Sequence, residues 1–195
     1  MTNSHSLRRK AVLLDRDGTL NQEQGFITNP GEVTILPGVR RALERLHQAG
    51  YLLIVVTNQS GIARGLYGQN DLARVHEVIH SKLGGLPRAY LHCPHHPDPE
   101  YQTNATGFGQ DCECRKPKAG LLEQADQLFG IDWATSYLVG DSARDLLMGR
   151  DLPVTRILVK SGKPWEEQSD HLRAADCQPH HIAADLATAT DWILG

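Results

Sequence analysis

No apolar run in this chain approaches the roughly 18 residues that a membrane-spanning helix needs; stretches such as "YLLIVV" are a fraction of that. Positive charge is also scarce: 20 Lys and Arg stand against 23 Asp and Glu, for a net charge of -3. Aromatic residues make up only 6%. A basic surface with interleaved stacking side chains, as single-stranded nucleic acid requires, is therefore not expected. The opening "MTNSHSLRRK" is polar and basic, and the apolar run after it breaks at Asp15, too soon for an export-signal core. We expect a cytoplasmic protein whose basic start is a frayed, solvated end.

Cysteine is sparse too. There are four, of which Cys93, Cys112 and Cys114 lie close in sequence and Cys177 stands apart. Without an export signal this pattern disfavours a disulfide framework and favours a metal site. Cys177 is expected to be a free thiol with no assigned role. The chain shows no internal repeat and no low-complexity tract. What remains is ordinary: 195 residues, 40% hydrophobic and 22% charged, enough for one domain over residues 1–195 with a good-sized core.

Short buried-strand patterns alternate with amphipathic helical ones. "AVLL" and "YLLIVVT" read as strands. "GVRRALERLHQAG" between them reads as a helix, with Val39, Ala42, Leu43 and Leu46 on one face and Gly50 as its stop. "NDLARVHEVIHSKL" is a second helix, with Asn70 as a candidate N-cap. "AYLHC", "SYLVGD", "TRILV" and "IAAD" read as further strands. "AGLLEQADQLFG", "ARDLLMGR" and "LATATDWIL" read as helices, and residues 93–115 as a long loop. The alternation predicts an α/β fold: a Rossmann-like, doubly wound parallel sheet with helices on both faces. Ligands in such folds bind beyond the carboxyl ends of the strands. Asp15, Thr57 and Asp141 each close a strand, so they share that rim.

The rim carries chemistry. "DRDGT" places two carboxylates, Asp15 and Asp17, at the tip of a buried strand, where they repel each other and resist losing water. A hard cation such as Mg2+ compensates them. The Thr57 hydroxyl, backbone N–H groups and a lysine suit the oxygens of a phosphoryl group. Together these parts describe phosphoryl transfer through an aspartyl-phosphate, with the second carboxylate moving the protons. Two points stay open. The working lysine is Lys116 or its neighbour Lys118. Asp145 orients Lys116, orients a metal-bound water, or is a surface helix residue.

"HCPHHPDPE…GQDCECRKPK" is a second constellation. In extended chain, residues i and i+2 point the same way. Cys93 and His95 can then meet Cys112 and Cys114 in a four-ligand Cys3His site, the composition of a closed structural zinc; His96 is the alternative to His95. A long polar loop over about 93–114 has little apolar area of its own, and a metal supplies its order.

"DRDGT", "VVTN", the lysine of "RKPK" and "GDSARD", in that order, resemble the four motifs of the haloacid dehalogenase-type phosphatases over roughly residues 11–164. The resemblance implies Asp15 as nucleophile and Asp17 as general acid and base. It implies Thr57 and Lys116 as phosphoryl stabilisers. Asp15, Asp17 (through its backbone carbonyl) and Asp141 would be the Mg2+ ligands. No large cap is expected, because little chain separates the motifs. The zinc loop resembles two groups within that family, the D-glycero-D-manno-heptose-1,7-bisphosphate 7-phosphatases and the histidinol-phosphate phosphatases. "TNQSGIARG", "CPHHP" and "SGKP" favour the heptose group. That likeness implies a small phosphosugar partner, met by a monomer, with Glu23, Gln24, Gly25, Phe26, Asn58, Gln59, Ser60 and Arg115 lining the sugar or its second phosphate. Such proteins often carry a lysine after the "GD" aspartate; here it is Ser142. Arg64 and Lys160 are the candidates to replace that charge. A non-catalytic, zinc-stabilised binding module is the alternative of another class.

Overall fold

A computed structural model describes residues 8–103 and 105–195. Six strands form one sheet: β1 (Ala11–Leu14), β2 (Leu52–Asn58), β3 (Ala89–Cys93), β4 (Tyr137–Gly140), β5 (Thr155–Val159) and β6 (His181–Ala183). The order is β3-β2-β1-β4-β5-β6, and every pairing is parallel. Leu13 sits in register with Ile54 on one side and Leu138 on the other. The chain leaves β1 towards β2 and later returns to β4 on the opposite flank. The β1/β4 boundary is therefore the point where the winding reverses, and where a ligand crevice opens.

Buried on both faces, the central strands are apolar at every position, as parallel strands require. Alternation then sorts them. Val12, Leu14, Val55 and Val139 face one core, packed by α1 (Val39–Gln48), α2 (Gln69–Lys82) and α7 (Leu186–Leu194). Leu13, Ile54, Val56 and Leu138 face the other, packed by Leu121, Leu122 and Ala125 of α4 (Gly120–Phe129). A third cluster joins Leu146 of α5 (Ala143–Leu147) to Leu172 of α6 (Trp165–Ala174) and to buried Cys177.

The structure departs from the sequence reading in four places. Helix α6 was not expected, because "WEEQSDHLRA" buries only Ser169 and Leu172 and its periodic signal is thin. Helix α2 is capped at Gly68, whose N–H donates to Asp71 Oδ2 at 2.8 Å, and not at Asn70. The zinc loop holds a one-turn helix, α3 (Pro99–Gln102), started by the Asp98 side chain. The basic start lies outside the described residues up to position 7. From Arg8 onward it is anchored: Arg8 pairs with Asp126 at 3.0 Å, and the Arg9 N–H donates to Gly130 O at 2.8 Å.

Candidate active site

Asp15 follows β1 directly, and Asp141 follows β4 directly, so the winding reversal sets their carboxylates side by side. Between them comes Lys116, from the far end of the cysteine loop. Its Nζ donates to Asp15 Oδ1 at 2.6 Å, to Asp145 Oδ1 at 2.6 Å and to Val56 O at 3.1 Å. Two amide bonds with Asn58 fix its backbone: Asn58 Nδ2 donates to Lys116 O at 3.2 Å, and Lys116 N to Asn58 Oδ1 at 3.1 Å. Lys118 is elsewhere, on Asp111 and Glu113 at the surface. Lys116 is thus the lysine that the structure brings to the carboxylates. Asp145 is no surface residue either: it is 2% exposed, and its Oδ2 accepts from the Ser142 N–H at 3.0 Å.

These groups are short of positive charge. Burial, then repulsion from Asp145, pushes the Asp15 carboxyl well above its usual range. The same two causes in the same order raise Asp141 to about 7. Burial disfavours the Lys116 ammonium, but Asp145 and Asp15 outweigh it and its pKa rises. Ligand atoms of Asp15, Asp141 and Asp145 lie within 4.8 Å of one another. Both oxygens of Asp145 are taken, by Lys116 and Ser142, whereas Asp15 and Asp141 each keep one oxygen free of a protein donor. An all-oxygen set with uncompensated charge fits a hard divalent cation.

Backbone closes tightly around Asp141. A Cβ on Gly18 would come within 2.4 Å of Asp141 Oδ2, and one on Gly162 within 2.0 Å. Gly18 also has φ +81°, which favours glycine on its own. Ser161 Oγ donates to Gly18 O at 2.6 Å, and the Lys163 N–H to Asp141 Oδ2 at 2.9 Å. The "SGKP" turn therefore forms one wall of the site.

Asp17 points into a buried polar network. The Arg16 guanidinium, 1% exposed, grips both its oxygens at 2.8–3.1 Å. Asn21 Nδ2 donates to it at 2.9 Å and Gln59 Nε2 at 3.0 Å. Gln59 also donates to Thr57 Oγ1 at 3.0 Å and accepts from Tyr67 at 2.8 Å. Behind Arg16 lies His76, at 3.3 Å.

A cavity of about 80 Å3 opens over these groups. Of the residues singled out in the sequence, Asp15, Asp17, Thr57, Lys116, Asp141 and Asp145 line it, as do Glu23, Asn58 and Ser142. The others fall outside that lining. Gln24, Gly25 and Phe26 continue the exposed loop from Glu23, and Phe26 lies under Arg64 at 5.5 Å. Ser60 is half-buried, and Gln59 is 4% exposed, behind the wall. Arg115 donates to His95 O at 3.0 Å. Two more cavity residues, Arg144 and Lys163, lie inside the quoted motifs "GDSARD" and "SGKP" but were given no role of their own in the sequence reading. Nor were Arg16 and Asn21, whose partners come only from the folded geometry.

The cysteine loop closes on a second point. Sγ of Cys93, Cys112 and Cys114 and Nδ1 of His95 stand 3.3–3.7 Å apart along the four neighbouring pairs. A tetrahedral zinc with sulfur at about 2.3 Å spaces its ligands by about 3.8 Å, so the cluster fits that ion. His96 is engaged otherwise, with Arg64 on Nε2 at 3.2 Å and the Asp98 N–H on Nδ1 at 3.2 Å. That leaves His95 as the fourth ligand atom in the cluster.

Comparison with known proteins agrees with this geometry. A HAD-hydrolase-like family model matches residues 113–189. The D-glycero-beta-D-manno-heptose-1,7-bisphosphate 7-phosphatase of Haemophilus ducreyi is 43% identical over 160 residues, covering 80% of this chain and 85% of that protein. The enzyme of the same name from Escherichia coli is 35% identical, covering 94% and 87%. Among solved structures, the D,D-heptose 1,7-bisphosphate phosphatase from B. bronchiseptica, complexed with magnesium and phosphate, superposes with a TM-score of 0.79. It shares 32% identity and covers 95% of this chain and 98% of that one. With identity at this level over most of both chains, and the motif residues gathered in one cavity, the chain belongs to the D-glycero-beta-D-manno-heptose-1,7-bisphosphate 7-phosphatase family of haloacid dehalogenase-like hydrolases.

Proposed function

We propose that this chain is a Mg2+-dependent phosphatase that removes the C7 phosphate of D-glycero-beta-D-manno-heptose 1,7-bisphosphate through an aspartyl-phosphate on Asp15. One observation carries it: Asp15 lines the cavity with one oxygen free of a protein donor, while its other oxygen is 2.6 Å from Lys116 Nζ, which Asp145 holds in turn at 2.6 Å. The chain's likeness to relatives that act on D-glycero-beta-D-manno-heptose 1,7-bisphosphate supports the choice of sugar and anomer.

In the first step an Asp15 oxygen attacks phosphorus and the bond between phosphorus and the C7 oxygen breaks, leaving that oxygen on the sugar. The Asp17 carboxyl gives its proton to the departing alkoxide. In the second step Asp17 takes a proton from water, whose oxygen attacks the same phosphorus. Inorganic phosphate leaves and the Asp15 carboxylate returns. Arg16, Asn21 and Gln59 all donate to Asp17, the pose of an acceptor carboxylate. Donation to the sugar oxygen needs Asp17 turned towards the cavity. Lys116 and Thr57 meet the phosphoryl oxygens, where charge develops. Asp15 and Asp141, with the Asp17 carbonyl, would hold Mg2+, which supplies charge neutralisation for those oxygens.

The sugar is proposed to lie against Glu23 and the Gln24–Phe26 loop, Asn58, Ser60, Arg115 and Ser142. Gln59 instead links Asp17 to Thr57. Zinc on Cys93, His95, Cys112 and Cys114 would be structural. All four positions are filled by protein, leaving none for substrate. Thiolate ligands suit a reducing compartment, so the enzyme is proposed to act in the cytoplasm, as a monomer.

The test is phosphate release with Mg2+ from both anomers of heptose 1,7-bisphosphate and from histidinol phosphate, with Asp15→Asn as control. Preference for the β-anomer and a dead Asn variant are expected. Preference for histidinol phosphate would sink the substrate assignment and leave the chemistry standing.

A further inference from the structure

The cavity holds two cationic side chains whose ends no protein group bonds. Five carboxylates line it, on Asp15, Asp17, Glu23, Asp141 and Asp145, against three cations, on Lys116, Arg144 and Lys163. Lys116 is committed to Asp15 and Asp145. Among the described residues, the Arg144 guanidinium and the Lys163 ammonium make no hydrogen bond, ion pair or ring contact; only the Lys163 backbone N–H is engaged. A cation lining an acidic crevice would ordinarily fold onto the nearest carboxylate. Asp141 and Asp145 are close in sequence to Arg144, yet both Asp145 oxygens are bonded to Lys116 and Ser142 N, one Asp141 oxygen to Lys163 N, and the guanidinium pairs with neither. Arg144 is left exposed, lining the same cavity as Glu23.

The other candidate cations are occupied. Arg64 is bonded to the Tyr101 hydroxyl and to His96 Nε2 at 3.2 Å, and lies 4.6 Å from the Tyr101 ring centroid. Lys160 sits 3.8 Å over the Trp165 ring. Neither lines the cavity. Ser142, at the position directly after Asp141, is neutral and 3% exposed.

We propose that Arg144 and Lys163 form the grip for the second, non-reacting phosphate of the substrate, and so set the preference for a bisphosphate over a monophosphate. This rests on the phosphatase reading above. The guanidinium offers two parallel donors to phosphate oxygens and the ammonium a point charge, the usual division of labour between these side chains. Asp17 is paired with Arg16, so with Mg2+ bound the other four carboxylates face five positive charges, on the ion, Lys116, Arg144 and Lys163. A reacting phosphoryl group can then draw on Lys116 and the metal. Of the cations that line the cavity, that leaves Arg144 and Lys163 for a second dianion. The first is carried on α5 immediately after the Asp141 strand, the second on the turn that holds Asp141, so both are fixed relative to the reacting centre.

The experiment uses binding in the presence of Mg2+, by calorimetry, on the full-length Asp15→Asn chain, which does not turn substrate over. Heptose 1,7-bisphosphate and heptose 7-phosphate are titrated into Asp15→Asn, Asp15→Asn/Arg144→Gln and Asp15→Asn/Arg144→Lys. In the parent, the bisphosphate should bind tighter than the monophosphate by roughly tenfold to a hundredfold, the worth of one or two charge-assisted hydrogen bonds. The Gln variant should narrow that gap to within about threefold and the Lys variant should restore most of it. Three results overturn the proposal: a parent with equal affinities, a gap that survives Arg144→Gln, or equal loss for both ligands. Failure of the phosphatase reading shows separately, as absence of heptose 1,7-bisphosphate hydrolysis by the unmodified chain.

Discussion

Replacing Asp145 by Asn isolates what this carboxylate does for Lys116. Its Oδ1 sits 2.6 Å from Lys116 Nζ, which at an effective dielectric of about 20 is an attraction of roughly 6 kcal/mol. It also lies within 4.8 Å of ligand oxygens on Asp15 and Asp141, and each of those repulsions is at least about 3.5 kcal/mol on the same scale. The attraction lost and the two repulsions relieved nearly cancel. Metal-free Asp145→Asn should therefore keep its stability to within about 1 kcal/mol, seen as a shift of a few degrees at most in thermal unfolding. Activity should not be spared. Held from two sides, the ammonium bridges the nucleophile and the incoming phosphoryl group; held from one, it falls back onto Asp15. Losing one charge-assisted bond of about 1.5–3 kcal/mol in the transition state predicts kcat/KM lower by roughly 10- to 150-fold. The paired measurement is steady-state phosphate release and calorimetric unfolding of the same preparation. A kcat/KM within threefold of the parent would show that Asp145 does not position Lys116. A loss of stability above about 3 kcal/mol would show that the carboxylate acts as structure, since the balance of charges then fails.

Two further outcomes are expected. Purified protein should contain about one zinc per chain by elemental analysis, and Cys112→Ser or chelation should lower the melting temperature by about 5–10 °C, because the loop has little apolar area of its own to order it; unchanged melting after complete zinc removal would contradict that role. Burial, then the Arg16 charge, lowers His76 to about 3. A folded pKa below the unfolded 6.5 means that the unfolded chain binds the extra proton between those values, so stability is lost as pH falls through that window. At pH 5 the loss is at most about 2 kcal/mol. Denaturant unfolding of His76→Gln should show a shallower acid slope between pH 7 and pH 5; an identical slope refutes the assignment.

The sequence exposes whatever sits at the end of a strand. "AVLLD" and "SYLVGD" announce themselves because a buried parallel strand is apolar at every position, so its first charge marks the sheet's carboxyl edge. The same logic reached Thr57, and alternation along extended chain reached Cys93 and His95. Helix α6 stayed hidden because only two of its residues are buried and one of them is a serine. Arg16 was passed over for a different reason. It stands between two aspartates in "DRD", where a cation reads as local charge balance, and nothing in the string shows that it is 1% exposed with its guanidinium wrapped on Asp17.

Arg144 and Lys163 are the most instructive omissions. Both lie inside quoted motifs, "GDSARD" and "SGKP", and both are ordinary surface-type side chains on short elements. What distinguishes them is a missing partner, and that cannot be read from one dimension. Arg64 and Lys160 look equally free in the sequence, yet Tyr101, His96 and Trp165 engage them. A motif states which residues must be present because chemistry needs them. The folded structure alone shows which charges remain unspent once the fold has used the rest. In this crevice Asp15 and Asp141 each have one oxygen bonded to protein, and the unpaired ends of Arg144 and Lys163 belong to the same lining. On the proposed reading that arrangement takes a ligand with one phosphate at Asp15 and the other at Arg144 and Lys163, so discrimination between bisphosphate and monophosphate resides in residues that take no part in bond breaking.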